Sequence, residues 1–301
     1  PFLLSRLLAL YPLHVVTTLA MLPFALSNTA GPPSSVAFKA GTSLFMHLTL
    51  LWPFYPFDTW ALNRPSWALA AFFFCYLLFA PTLRRVVGLG HRRQVLAACV
   101  GCCAVPVLWS VLYGILQSGQ TYDAEQYWFF HVFPPVRFCE FVLGMLLARL
   151  YQVSTHKTGG KSIFNRGIGN DLLIVGVLSL LVANLILQAR AEFFIRYLGY
   201  HALSLPLFAT LVYRFARGQG ALPALTAVPL VRRLGQCSFY PYLLHIPLLS
   251  WGCWALARYA GYRTVLHEPV NIWLFVALLY GTSCVYFEYF GRAARRRRAK
   301  A

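Results

Sequence analysis

FPPVRFCEFVLGMLLARLY, residues 133–151, is apolar enough over most of its length to cross a bilayer, yet it carries Arg137 and Glu140 near its start. Charges in such a place are costly and are kept for a structural or functional reason. Three residues apart, the two share one face of a helix and can pair. In further steps of four, Glu140, Gly144 and Ala148 form a narrow stripe against which another helix is expected to pack closely. The stretch predicts a packed helix lining a polar interior, and therefore an all-α polytopic bundle rather than a soluble domain on a simple anchor.

Composition agrees with that reading. The 301 residues are 59% hydrophobic and 11% charged, against roughly 25% charged in soluble globular chains. The apolar runs are long and continuous, which implies helices and not the alternating strands of a barrel. Spans are expected at 7–26, 67–83, 94–116, 133–151, 172–189, 199–215, 239–257 and 271–290, each near the length a bilayer demands. Aromatic clusters at the ends of apolar runs, WPFYPFDTW (52–60) and QYWFF (126–130), read as interfacial anchors. No soluble domain fits between the runs. Residues 1–301 are expected to form a single membrane domain, with 292–301 as a basic tail.

The net charge is +18, but its distribution does not suit nucleic acid. Sorted by connecting segment, 19 basic residues fall on one side, from Arg6 through Arg84, Arg149 and Arg232 to the C-terminal run. Six fall on the other, and Arg137 lies within a helix. This asymmetry places the first group, and the C-terminus with it, in the cytoplasm. RAARRRRAK, 292–300, follows the last apolar run, so it reads as a lipid-facing cytoplasmic flank. With both Arg6 and the tail inside, the number of crossings is even. That selects about eight and leaves the apolar piece 40–55 re-entrant or interfacial.

Several residues can carry chemistry. Arg6 either snorkels to lipid phosphates or binds a phosphorylated donor. His14, two residues past Pro12, is either a base or a satisfied structural histidine. Trp67 and Tyr76 stack on a ring-shaped substrate or pack the core. Arg137 and Glu140 hold a polar group of the substrate or lock two helices together. Tyr242 and His245 lie one turn apart on a common face, and a neutral imidazole in an apolar site can move protons near neutrality. Pro247 leaves a nearby carbonyl without its donor, so His245 can equally cap the backbone. Cys99 and Cys102 have redox or metal spacing but lack a second ligand pair, and read as small apolar filling.

Five passages, in order along nearly the whole chain, resemble the acyltransferase 3 family of multi-pass membrane proteins. They are RLLALYP from Arg6, NRPSWALAAFFFCYLLFAP from Asn63, RFCEFVLGMLLA from Arg137, LGQCSFYPYLLHIPLL from Leu234 and FEYFGR from Phe287. The resemblance implies transfer of an acyl group, often acetyl, from a cytoplasmic acyl-CoA donor that is a substrate and not a tightly bound cofactor. The implied acceptor is a hydroxyl on a sugar, glycan, lipid or small metabolite, in the cell membrane. It implies roles in the site for Arg137, Glu140, Tyr242 and His245, and donor contact for Arg6. Departures from the pattern are Ala9 for its second arginine, Phe72 for its glutamate and Phe290 for its terminal proline. Two helices and a candidate base histidine normally precede the arginine motif. The chain opens with Pro1, so these are expected to be missing, and the intact protein is expected to have ten spans. Two other readings are a small-molecule transporter, from polar residues within a helical bundle, and a catalytically degenerate membrane scaffold, from Ala9 and Phe72. Oligomeric state is not legible.

Overall fold

The computed structural model describes residues 2–27, 31–55, 62–116, 131–155, 163–190, 198, 200–260 and 269–291. Among these every regular element is helical. The chain divides into two compact units, residues 1–73 with 229–301, and residues 74–228.

The first unit contains α1 (Phe2–Ser27), α2 (Pro33–Leu48), the start of α3 (Trp67–Leu77), and then α10 (Pro229–Cys237), α11 (Phe239–Ala260) and α12 (Pro269–Tyr286). Helix α1 packs on α2 and α11, and α11 on α12 and on the 3₁₀ turn Arg64–Ser66. Leu13, Cys237, Tyr240, Leu243 and Phe287 form one apolar cluster, and Leu50, Leu69 and Ala70 another. Trp52 is not an interfacial anchor. It is buried, its ring stacks on His47 with centroids 4.9 Å apart, and its indole N–H donates to the Ser66 hydroxyl at 3.2 Å. The indole has a protein partner, so it has no need of the headgroup layer.

The second unit contains the end of α3, then α4 (Phe79–Gly88), α5 (Arg92–Leu116), α6 (Pro134–Thr155), α7 (Ile163–Arg190), α8 (Leu205–Ala216) and α9 (Ala221–Thr226). Helix α6 turns Leu143, Leu146 and Leu150 inward, and the last two pack with Val86 of α4 and Val95 of α5. Cys99 and Cys102 fill space beside that cluster. The stripe of Gly144 and Ala148 lies on the other side of α6. Both residues are exposed, and a Cβ added to Gly144 would meet nothing within 4 Å. The close helix approach expected on that stripe is therefore absent among the described residues, because the leucine face does the packing instead.

The expected count of eight spans is overturned. Among the described residues four helices are long and apolar enough to cross a membrane: Leu10–Ser27, Arg92–Leu112, Gly167–Ala189 and Asn271–Tyr289. A fifth is reached if Arg64–Leu77 and Phe79–Gly88, bent by 59° at Leu78, count as one broken span. The physical reasons are local. Helix α6 has the length, but Arg137, Glu140 and Arg149 interrupt its apolar character. Helix α11 is diluted by Tyr240, Tyr242, His245 and two prolines. The run 199–215 breaks into a π-helical turn, Tyr200–Ser204, and a helix of 12 residues, which reaches only about 18 Å. The parity argument for eight crossings, and the extension to ten, lose their basis. What stands is an all-α, multi-pass integral membrane protein.

Candidate functional site

Among the described residues, each unit holds a cluster of polar side chains. In the second unit the centre is the first turn of α6, which Pro134 and Pro135 start with φ already set for a helix. Arg137 is buried, with 6% of its surface exposed. Its Nε donates to the His131 carbonyl oxygen at 2.8 Å and its Nη1 to Glu140 Oε1 at 2.5 Å. The same face and spacing that the sequence predicts therefore form an ion pair. Glu140 is the more open member, with 27% of its side chain exposed.

Two histidines that the sequence reading passed over belong here. The guanidinium of Arg137 acts electrostatically on the imidazoles of His131 and His201, and His131 acts on His201. His201 is completely buried in the π-helical turn before α8. One turn on, the Ser204 hydroxyl oxygen accepts from Asn184 Nδ2 at 2.8 Å and Gln188 Nε2 at 3.4 Å, both one turn apart on α7. A histidine inside LGYHALSLPL was the available signal, but nothing local pairs it with a residue 64 positions earlier. Tyr76, considered as a substrate platform, packs edge-on against Phe141 with centroids 6.1 Å apart.

In the first unit the centre is the N-terminal half of α11. Tyr242 and His245 lie together as expected, with ring centroids 6.0 Å apart. The His245 ring, however, is held by the backbone of Tyr242: Nδ1 is 2.8 Å from its carbonyl oxygen. A carbonyl can only accept, so Nδ1 carries a proton and donates it to that oxygen. His245 is half-buried. The carbonyl freed by Pro247 is a different one, Leu243, and its donor is Asn63 Nδ2 at 3.1 Å.

His14 is a satisfied structural residue by its geometry. It is completely buried, its Nε2 lies 2.9 Å from the His47 carbonyl oxygen, and Nδ1 lies 3.4 Å from the Thr18 hydroxyl. Phe72, expected in place of the family's glutamate, is exposed and tilts against Phe239 with centroids 6.0 Å apart. Glu288 pairs with Arg233 at 2.6 Å, a partner not foreseen. The backbone of Arg6 and Ala9 is helical, but their side chains lie outside the described residues, as do Arg292 and the basic run 292–300.

Compared with known families, residues 1–288 match the sequence profile of acyltransferase 3, described as an acyltransferase domain. The chain belongs to the acyltransferase 3 family. The profile reaches from the first helix to Glu288 and so takes in both polar clusters. This acyltransferase 3 member is similar to the acyltransferase MdmB of Streptomyces mycarofaciens, 29% identical over 268 residues. That alignment covers 85% of this chain and 63% of the relative's length. No solved structure matches it.

Proposed function

We propose that the protein is a membrane O-acyltransferase, moving an acyl group, acetyl in the simplest case, from a cytoplasmic acyl-CoA to a hydroxyl of a sugar, glycan, lipid or small metabolite. The observation that carries this reading is the family match over 1–288. The hydrogen bond from His245 Nδ1–H to the Tyr242 carbonyl supports a mechanism for it.

In that mechanism His245 Nε2 takes the proton of the acceptor hydroxyl as its oxygen attacks the thioester carbonyl. The Nδ1–H bond to the Tyr242 carbonyl holds the tautomer and steadies the imidazolium that forms. Collapse of the tetrahedral intermediate breaks the C–S bond, and the imidazolium returns the proton to the departing thiolate. The products are an ester and free CoA. Arg137 and Glu140 are assigned a polar role within their own unit, where Arg137 fixes the carboxylate of the partly open Glu140. Arg6 is assigned to the donor's phosphates on the cytoplasmic side. Lipid surrounds the spans, and nucleic acid has no part.

The test is incubation of the purified protein in lipid nanodiscs with acetyl-CoA labelled in the acetyl group and a panel of sugars, glycolipids and hydroxylated metabolites. An alkali-labile labelled ester on one acceptor class is expected. Folded protein that labels none of them contradicts the reading.

A further inference from the structure

Pro247 lies inside α11 and has no N–H, so the Leu243 carbonyl lacks its intrahelical donor. Leu243 is completely buried, so that oxygen needs a partner from elsewhere in the protein. It has one in Asn63, itself completely buried, at the start of the 3₁₀ turn Arg64–Ser66. The carbonyl can only accept, which fixes the amide orientation with Nδ2 toward Leu243. Two sequence motifs, NRPSW and LLHIP, thus meet at a single hydrogen bond spanning 180 positions.

Asn63 is also held from behind. The neighbouring Leu62 N–H donates to His47 Nε2 at 3.2 Å, and His47 Nδ1–H donates to the Ser43 carbonyl at 2.8 Å. Trp52 stacks on His47 and donates to Ser66. His14 of α1 binds the His47 carbonyl. A continuous chain of contacts therefore runs from α1 through α2 to the turn at 62–66 and ends on the carbonyl opened by Pro247. The next carbonyl back, Tyr242, is the one that fixes His245.

We propose that Asn63 is a positioning residue for the transfer reaction: it pins the Leu243 carbonyl that Pro247 leaves without a helical donor, and so the orientation of the Tyr242 and Leu243 peptides that aim His245. The inference rests on the reading of His245 as the base, but the clamp itself is separately measurable. Pro247→Ala restores a backbone N–H at 247 and gives the Leu243 carbonyl an intrahelical donor, which removes the need for Asn63.

The experiment is a double-mutant cycle on the full chain in nanodiscs, with Asn63→Ala, Pro247→Ala and the pair, read by unfolding midpoint and by kcat and KM. Asn63→Ala alone is expected to lower the midpoint by several degrees and kcat at least tenfold, with KM for acetyl-CoA within about twofold. In the Pro247→Ala background the same change is expected to lower neither midpoint nor kcat further. A single variant that misfolds while the double variant folds is the same coupling in stronger form. Equal losses in both backgrounds, or misfolding of both, overturn the clamp. Coupled midpoints with kcat unchanged in Asn63→Ala overturn the positioning of His245. If the parent protein transfers nothing, the functional reading fails, and the midpoints alone still decide the clamp.

Discussion

Arg137 grips Glu140 across one helical turn at 2.5 Å while its Nε holds the His131 carbonyl at 2.8 Å, so one buried cation ties the start of α6 to the turn before it. Removing one member of such a pair is worse than removing both, because the survivor stays behind uncompensated. Glu140→Ala is expected to destabilise the protein by about 3 kcal/mol, the low end for a buried pair because Glu140 is partly open. The double variant Arg137→Leu with Glu140→Leu is expected to lose clearly less. Chemical unfolding of the three proteins in one detergent checks the order, and a double variant weaker than Glu140→Ala would refute it.

His245 and Tyr242 are expected to separate in their effects on rate. His245→Ala removes the proposed base and is predicted to lower kcat by about 10²- to 10⁴-fold. Tyr242→Phe keeps the backbone carbonyl that fixes the imidazole, so its loss is expected to stay below about tenfold. Steady-state kinetics on both variants decides this, and equal losses would give the phenol a direct part.

Gly220 is predicted to resist any side chain. Its φ of +109° with an extended ψ is open essentially to glycine alone, and a Cβ there would clash with the Asp171 carboxylate. That carboxylate cannot withdraw freely, since it accepts the N–H groups of Ala221 and Leu222 at 2.7 and 3.1 Å. Gly220→Ala is expected to destabilise by about 1–3 kcal/mol or more, read as a lowered unfolding midpoint.

The ion pair of Arg233 and Glu288 should matter little to stability. The arginine side chain is 54% exposed, and pairs of this kind contribute at most about 1 kcal/mol and weaken with salt. Arg233→Ala is expected to shift the unfolding free energy by less than that, with the difference shrinking in high salt. A large, salt-independent loss would count against the assignment.

What was legible in the sequence was whatever a short window encodes. The three-residue spacing of Arg137 and Glu140 fixed their pairing, and that of Tyr242 and His245 their shared face. Pro247 announced a freed carbonyl, but its donor, Asn63, sits 180 positions away, and no local pattern joins them. His201 lies in a π-helical turn with no sequence signature, and Arg137 and His131, which act on it electrostatically, come from the start of α6 and the turn before it. The span count failed for a different reason. An apolar run does not reveal where it bends, and here the chain bends at Leu78 and breaks before Leu205, while the charges of α6 weigh against its apolar length. The small-residue stripe failed because a gap in side-chain bulk permits close approach without requiring it.

The central claim, acyl transfer through His245, is tested most directly by following two products in one reaction, the free thiol released from acetyl-CoA and the ester formed on the acceptor. Wild-type protein in nanodiscs is predicted to release thiol and form ester one for one, with His245→Ala slower by about 10²-fold or more in both. Equal rates for the two proteins, or thiol release with no ester on any acceptor, would contradict the account.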